Sequence, residues 1–394
     1  MDHIIRLEGV SKLFGKSEQA VFERYKSDLD REEIFSQTQH NLALKQVSLN
    51  INRGEIFVIM GLSGCGKSTL IRHINLLIEP TRGRVFIDGV DLASLSPKEI
   101  QNFRRHKISM VFQNFCLLPH KTVLNNVALG LKAQGMPKKD FLKEANKWLE
   151  LVGLKGYEYS FPNQLSGGMQ QRVGLARALA TNPDILLMDE AFSALDPLIK
   201  REMQDQLLQL QKELKKTIVF ITHDLDEALR LGDQIAILKA GEVIQVGPPQ
   251  EILLNPSCDY VRNFVKDVNR YHILTAKSLL QQTEPIELSA SFSPQKIKQA
   301  IESYPLKTIY FVNQEREFLG GVDKDFFKSS DSISFDHRVL KEKLQIGPSI
   351  LIDTPLESIL PDMFSNPNPL PVLDKQKHFH GVVSEKRVIE ALGS

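Results

Sequence analysis

The sequence lacks long apolar runs and a secretory leader. Its apolar runs are short, as in Ile56 to Leu62, whereas a helix that spans a bilayer needs roughly 18 to 20 apolar residues. The first residues, Met-Asp-His-Ile-Ile-Arg, do not form a basic head followed by an apolar stretch, which is the pattern of a secretory signal. We therefore expect a cytosolic protein that does not cross the membrane.

The sequence also has few cysteines and almost no net charge. Cys65, Cys116 and Cys258 are far apart, and they form neither a metal-ligand pattern nor an even set for disulfides. Lys plus Arg (49) nearly equals Asp plus Glu (48), which argues against binding nucleic acid through bulk positive charge. Because 42% of the 394 residues are apolar, the chain can build more than one core, and we expect two or three domains.

What is present is an alternation of buried strands and helices. The apolar runs 56–60, 185–189 and 218–222 are typical of buried strands, and helical patterns begin at Lys67 and cover 198–215. Such alternation predicts an α/β domain with a mainly parallel sheet.

We place this α/β domain at residues 1–268. A largely helical pattern within it predicts a helical subdomain at about 113–180. The segment 16–41 is an insertion rich in charged residues, and its apolar spacing favours one or two short amphipathic helices.

An internal repeat marks the C-terminal part of the chain. Residues 312–322 align with residues 373–383, and each copy is predicted to form a strand, a polar turn and a strand. We expect two copies of a small α+β module, at 272–330 and 335–394, with a connection between them at 328–348.

A phosphate-binding loop follows the first buried strand. Residues 61–69, Gly-Leu-Ser-Gly-Cys-Gly-Lys-Ser-Thr, match G-x-x-x-x-G-K-[ST] between a strand and a helix. The glycines let backbone N–H groups close around phosphate oxygens, and the helix N-terminus adds partial positive charge. We expect ATP and Mg²⁺ here, with Lys67 on the β- and γ-phosphates and Ser68 on the metal. The loop residues predicted to contact the nucleotide are Gly61, Ser63, Gly64, Cys65, Gly66, Lys67, Ser68 and Thr69.

Two adjacent carboxylates end the second buried strand. Asp189 would lie beside the phosphate loop and hold Mg²⁺ through water. Metal binding does not need Glu190 as well, so we assign Glu190 to polarising the attacking water. Together these features predict a nucleotide hydrolase.

The stretch Leu165-Ser-Gly-Gly-Met-Gln-Gln-Arg172 resembles the signature sequence of the ABC ATPase family, from which Met169 departs. The resemblance implies a RecA-like core with a helical subdomain, and a homodimer in which Ser166, Gly167 and Gly168 of one chain face the γ-phosphate held by the other. It further implies that Gln113 senses the metal and the membrane partner, that Asp196 lies in the loop crossing the dimer interface, and that His223 contacts the γ-phosphate.

Two residues near the nucleotide leave alternatives open. Phe14 stands where the family has an aromatic residue that stacks on adenine, but it could instead be a core residue. Cys65 is either a small loop residue or a redox switch. In either case its place at a helix N-terminus favours the thiolate, so that alkylation should block hydrolysis and ATP should protect.

More narrowly, the chain resembles the ATP-binding subunits of glycine betaine/proline betaine importers of the quaternary-amine uptake family. The resemblance rests on the insertion at 16–41, on residues 55–64 with Met60 and Leu62, and on residues 185–199. It implies a peripheral ATPase on the cytoplasmic side of the membrane that drives permease subunits and, indirectly, a substrate-binding protein. Choline, carnitine or an amino acid is an alternative cargo, and a soluble ATP-dependent switch is an alternative of another class.

A permease contact is expected on the surface from Gln113 to Leu131. Apolar residues there could receive a coupling helix of the permease, and burial within the domain is an equal interpretation. The residues in question are Leu117, Leu118, Val123 and Leu124.

The C-terminal repeat resembles a pair of cystathionine-β-synthase-type (CBS) modules. Such modules commonly bind adenosine nucleotides through an Asp after the second strand, and here Asp323 has no counterpart in the second copy. In the subfamily they are linked to osmotic control. A basic patch could face anionic lipid, with a solvated charged face as the alternative. The patch comprises Lys375, Lys377, His378, His380, Lys386 and Arg387.

Overall fold

A computed structural model describes most of the chain and divides it into two compact units, Met1–Val265 and Lys266–Ser394. In the described part, no helix is both long and apolar enough to cross a membrane. The expected connection at 328–348 falls largely outside that part. The structure describes residues 3–25, 31–113, 115–266, 273–288, 294–328, 344–366 and 368–393.

The first unit contains two sheets, built from ten strands in its described residues. The six-stranded sheet has the order β10-β9-β3-β8-β7-β6, and the four-stranded sheet has the order β2-β1-β4-β5. The strands are β1 (His3–Phe14), β2 (Asn41–Asn52), β3 (Ile56–Met60), β4 (Arg82–Ile87), β5 (Val90–Asp91), β6 (Ile108–Val111), β7 (Ile185–Asp189), β8 (Thr217–Thr222), β9 (Gln234–Lys239) and β10 (Glu242–Gly247).

The six-stranded sheet is parallel except at β10, which pairs with β9 in the antiparallel sense. Strands β3, β7 and β8 are buried at every residue, because helices cover both faces of a parallel sheet and favour continuous apolar runs. These strands are the three apolar runs of the sequence, so the predicted α/β core is confirmed. Their carboxyl ends lie side by side, which brings the segments after them to one edge.

The helices of the first unit connect these strands. Helix α3 directly follows β3, and α5, α6 and α7 pack against one another. The helices are α1 (Glu18–Tyr25), α2 (Arg31–Thr38), α3 (Lys67–Ile74), α4 (Pro97–His106), α5 (Val123–Ala133), α6 (Lys138–Leu151), α7 (Gly167–Ala180), α8 (Pro197–Leu214), α9 (Leu225–Leu231), α10 (Pro249–Leu254) and α11 (Asp259–Val265).

The insertion at 16–41 contains two short helices, α1 and α2. They pack on the ends of β1 and β2 through a small apolar cluster of Leu13, Phe22, Ile34 and Leu42. Ile34 is completely buried, so this cluster holds α2 against the strands.

The second unit repeats one arrangement. Each described copy has a three-stranded sheet in which a short parallel strand precedes an antiparallel hairpin. The first copy contains β11 (Ile286–Glu287), α12 (Pro294–Ser303), β12 (Thr308–Val312), β13 (Phe318–Asp323) and α13 (Lys324–Lys328). The second contains β14 (Ile350–Leu351), α14 (Leu356–Ser365), β15 (Leu370–Leu373), β16 (Phe379–Val383) and α15 (Glu385–Gly393).

The hairpin turns of the two copies match in detail. The side chain of Asn313 accepts hydrogen bonds from two backbone N–H groups of its turn, and Asp374 does the same in the second copy. Arg316 and Lys377 each adopt a left-handed backbone conformation, with φ of 63° and 66°. The sequence repeat therefore corresponds to one local structure formed twice.

Candidate nucleotide site

The phosphate loop connects β3 to α3 and depends on glycine at two positions. Gly61 has φ 153°, and a Cβ there would lie 2.3 Å from the backbone oxygen of Leu238. Gly66 has φ 106°, and its Cβ would lie 2.5 Å from the backbone oxygen of Ala43. Any other residue would clash with backbone that cannot move away, so the loop geometry requires both glycines.

Lys67 lies inside the loop that it belongs to. Its side chain is 4% exposed, and its ammonium group donates hydrogen bonds to the backbone oxygens of Gly61 (2.8 Å) and Leu62 (3.2 Å). The ammonium also lies 3.8 Å from a carboxylate oxygen of Glu190. A buried cation is thus held at the start of α3, where backbone N–H groups also favour an anion.

Ser68 and Asp189 form a pair of oxygen donors beside the loop. The Ser68 hydroxyl donates a 2.9 Å hydrogen bond to Oδ1 of Asp189. Burial raises the pKa of Asp189, and the Ser68 hydrogen bond opposes that change. Hydroxyl and carboxylate oxygens are the hard donors that Mg²⁺ takes, usually one or two from the protein, with water and phosphate supplying the others. The pair fits that demand, although no described group of three His, Cys, Asp or Glu side chains could hold a metal alone.

Glu190 follows β7, and side chains after the two strands that flank β7 converge on its carboxylate. The Gln113 amide, after β6, donates to its Oε2 at 3.2 Å, and Nδ1 of His223, after β8, lies 3.4 Å from its Oε1. Its backbone is left-handed, with φ 47°. Gln113 also donates to the Ser193 hydroxyl at 3.4 Å. The structure therefore brings together Lys67, Gln113, Glu190 and His223, which the sequence predicted for one site.

A cavity of about 290 Å³ opens above the phosphate loop. Phe14 lines it and is 38% exposed, so its ring is available to a ligand and is not a buried core residue. Arg31 and Asn41 also line it, and the sequence interpretation did not include either one. The remaining lining residues are Ala43, Ser63, Gly64, Gly66, Lys67, Ser68, Thr69 and Glu190.

The signature turn is a separate part of the chain. Ser166 directly precedes α7 and caps its N-terminus, and its hydroxyl accepts a 3.3 Å hydrogen bond from the backbone N–H of Met169. Asp196 caps α8 in the same way, and its carboxylate accepts a 3.1 Å hydrogen bond from the backbone N–H of Ile199. Neither Ser166, Gly167, Gly168 nor Asp196 is among the described residues that line the cavity. Within one chain, therefore, the structure does not bring these residues to the phosphate loop.

The surroundings of Cys65 contradict the expected thiolate. The side chain is 5% exposed, and burial raises the pKa of the thiol, while the positive charges of Lys67 and Arg31 act in the opposite direction. The expectation that the thiolate is favoured is therefore wrong, because the loop packs the sulfur inward; that alkylation blocks hydrolysis stays a prediction. Cys65 is instead a small residue that the loop can enclose.

The structure bears on two surfaces for which the sequence left alternatives open. In the expected permease surface, Val123 and Leu124 are buried within the unit, whereas Leu117 and Leu118 are half-buried. In the expected basic patch, acidic side chains are interspersed. His378 and His380 both lie within hydrogen-bond distance of Asp374, and Lys386 and Arg387 both lie near Glu390.

Comparisons with known proteins agree with this geometry. Residues 44–193 match the family model described as ABC transporter. A glycine betaine/proline betaine transport system ATP-binding protein of Escherichia coli (strain K12) is 45% identical over 392 residues, covering 98% of this chain and 97% of the relative. A glycine betaine transport ATP-binding protein of Bacillus subtilis (strain 168) is 44% identical, covering 98% of this chain and 92% of the relative.

The structural comparison points to the same fold. A bacterial ABC transporter cassette, solved as a dimer, superposes with a TM-score of 0.53 at 38% identity. The match covers 62% of this chain and 98% of that cassette.

Proposed function

The chain belongs to the ABC transporter family of ATP-binding subunits, and on that premise we propose that it is the ATP-hydrolysing subunit of an importer for glycine betaine and proline betaine. The convergence of Lys67, Gln113 and His223 on Glu190 carries the hydrolytic part of the proposal. The likeness to glycine betaine and proline betaine transport subunits over nearly the whole chain carries the cargo part.

The proposed nucleotide is ATP, bound between the phosphate loop and Phe14. The phosphates replace the backbone oxygens that now accept from Lys67, so the ammonium group stabilises the β- and γ-phosphates. The exposed ring of Phe14 stacks on the adenine. Ser68 and, through water, Asp189 hold Mg²⁺, which when bound neutralises phosphate charge. Gln113 would supply a further contact to the Mg²⁺.

Hydrolysis requires a carboxylate that orients water. Glu190 has two oxygens, one facing Gln113 and the other facing His223 and Lys67, so its position is fixed from both sides. We assign Glu190 to orienting the water that attacks the γ-phosphate. His223 donates a hydrogen bond to the γ-phosphate oxygens and stabilises the negative charge of the transition state.

The active form is a head-to-tail homodimer. Each cavity lacks Ser166, Gly167, Gly168 and Asp196 of its own chain, so a second copy supplies these residues from α7 and α8. A similar bacterial cassette is itself dimeric, which supports this arrangement. In the dimer the N-terminus of α7 faces the γ-phosphate held by the other chain.

Closure and reopening of the dimer drive permease subunits at the cytoplasmic face of the membrane. Because Val123 and Leu124 are buried, the contact surface consists of the half-buried Leu117 and Leu118 with the exposed Tyr159, which lies between the two residues whose backbone oxygens accept from Val123 and Leu124. The second unit regulates transport according to osmotic conditions. We also propose that the patch containing His378 and Arg387 contacts anionic lipid. The carboxylates of Asp374 and Glu390 lie beside these side chains and weaken that contact, because they reduce the positive charge of the patch.

Uptake of labelled glycine betaine tests the function. Cells without their own osmoprotectant importers would express this chain with its permease and binding protein, at low and high osmolarity. We expect uptake that rises with osmolarity and disappears in Glu190→Gln. The surface variant Glu213→Gln is the matched control, because it makes the same chemical change outside the site.

The outcomes separate the parts of the proposal. Uptake without an osmotic response would support the proposed cargo and contradict the proposed regulation by the second unit. Absence of uptake from a complex that still hydrolyses ATP would overturn the cargo assignment and leave the hydrolase. Absence of ATP hydrolysis by the assembled complex would overturn the proposed function as a whole.

A further inference from the structure

Arg31, in the insertion between β1 and β2, lines the cavity above the phosphate loop. It is the first residue of α2 and lies outside the phosphate loop. Arg31 and Lys67 are the two cationic side chains among the residues described as lining this cavity. The insertion therefore contributes a guanidinium group to the nucleotide site.

The position of Arg31 is fixed by the packing of α2. Ile34, one turn further along, is completely buried among Leu13, Phe22 and Leu42. At the other end, the ring of His40 lies 2.7 Å from the backbone oxygen of Lys16, which joins the two ends of the insertion. Because both ends are attached to the first unit, Arg31 is a placed side chain and not the end of a free loop.

The described hydrogen bond of Arg31 leaves its charge available to an anion. Nη2 donates to Oδ1 of Asn41 at 3.4 Å, a long contact with a neutral amide. Asn41 pairs with Phe14 across the β1–β2 ladder, so the guanidinium lies toward the adenine end of the cavity. Guanidinium groups bind phosphate oxygens through two parallel hydrogen bonds, which an amide partner does not provide.

The charge of Arg31 also acts within the phosphate loop. Burial is the main influence on Cys65 and raises the pKa of its thiol, and the positive charges of Lys67 and Arg31 oppose that rise. The electrostatic effect of Arg31 therefore extends to the residue just before Gly66. Lys67 is already placed for the β- and γ-phosphates, which leaves the α-phosphate for a cation nearer to Phe14.

We propose that Arg31 binds the α-phosphate end of the nucleotide held by its own phosphate loop, so that the insertion forms part of the nucleotide site. This inference rests on the proposed ATPase function and deepens it. Arg31 is a binding residue and does not take part in the chemical step. Its loss should therefore weaken nucleotide binding and leave turnover at saturating ATP almost unchanged.

The test compares Arg31→Ala and Arg31→Lys with Arg24→Ala, which removes an arginine of α1 in the same insertion that does not line the cavity. Titrations of Mg·ATP and Mg·GTP use the full chain carrying Glu190→Gln, so that nucleotide is not consumed. We expect Arg31→Ala to weaken both nucleotides about tenfold, which is about 1.4 kcal/mol. Arg31→Lys should recover part of the loss, and Arg24→Ala should match the parent protein.

Steady-state hydrolysis in the otherwise unchanged chain supplies the second readout. Arg31→Ala should raise KM for ATP about tenfold with kcat within about twofold. Affinity equal to that of Arg24→Ala would overturn the inference. A loss for ATP but not GTP would also overturn it, because it would assign Arg31 to the base. If Arg31→Ala weakens nucleotide binding but the parent chain drives no uptake, the role of Arg31 is retained and only the proposed transport function is contradicted.

Discussion

The two units of this protein use their polar side chains in different ways. In the first unit, side chains after the two strands that flank β7 converge on the Glu190 carboxylate, and a cavity lies beside it. In the second unit, Asn313 and Asp374 direct their oxygens to the backbone of their own hairpin turns. Polar groups gathered from distant positions form a site for chemistry, whereas polar groups bonded locally stabilise a repeated fold.

This difference predicts how each unit responds to substitution. A change at the converging side chains of the first unit should remove activity and leave stability intact, because those groups are held for a ligand. A change in a hairpin of the second unit should lower the stability of that unit and leave ATP hydrolysis intact.

Glu190→Gln should have the largest effect. The amide keeps the size of the side chain but cannot act as a carboxylate toward water, so we expect phosphate release to fall by roughly two orders of magnitude or more. Mg·ATP affinity and the melting temperature of the first unit should remain close to those of the parent protein. Phosphate release, nucleotide titration and calorimetry measure the three quantities.

The control for that experiment is Glu213→Gln, on the exposed side of α8. It should hydrolyse ATP at the parent rate. Turnover by Glu190→Gln within a few-fold of the control would contradict the role of Glu190 and remove the contrast between the two units.

Much of the candidate site was predictable because its residues lie in contiguous motifs. Lys67 and Ser68 follow the buried strand β3 in a loop whose glycines fix its shape, and Asp189 ends β7, which β8 separates from β3 in the same sheet. A strand–loop–helix connection determines local geometry, so the sequence alone predicts where these side chains lie. The α/β core and the repeat were predictable for a similar reason, since both depend on local apolar patterns.

The parts that could not be predicted depend on contacts between distant segments. Arg31 reaches the cavity only because Ile34 anchors α2 beside Leu42, and a charged insertion gives no sign of that contact. The thiol of Cys65 is buried by the packing of its loop, and motif spacing does not report packing. His378 and His380 are interpreted as basic in the sequence, but the turn brings both to Asp374.

Gly381→Ala should lower the stability of the second unit. Gly381 has φ 147°, and a Cβ there would lie 2.6 Å from the backbone oxygen of Gln281. We expect a loss of about 2 kcal/mol in the free energy of unfolding of this unit, seen as a lower melting temperature of its transition by calorimetry. ATP hydrolysis should stay within about twofold of the parent rate if it depends only on the first unit.

The repeat supplies the matched control, Gly320→Ala. Gly320 has φ 142°, and its Cβ would meet the backbone oxygen of Gln345 at the longer distance of 3.1 Å. Its loss of stability should therefore be smaller than that of Gly381→Ala. Equal losses would show that the closer backbone contact is not the cause. Loss of ATP hydrolysis in Gly381→Ala would show that the first unit depends on the second.

Asp374→Asn should have the smallest effect, one that depends on pH. Desolvation raises the pKa of Asp374, but hydrogen bonds from the backbone and side chain of His378 and from His380 outweigh it, so the folded pKa lies well below the ordinary value of about 3.9. A lowered folded pKa gives stability that is present above the ordinary value and is lost as pH falls toward the folded one. At pH 5 to 7 the melting temperature of the second unit should therefore be higher in the parent protein than in Asp374→Asn. The difference between the two melting temperatures should become smaller below about pH 4. Asn313→Ala, at the corresponding neutral position, should also lower the melting temperature, but by an amount that does not change with pH in this range. A difference between the parent and Asp374→Asn that stays constant down to pH 3 would contradict the lowered pKa of Asp374.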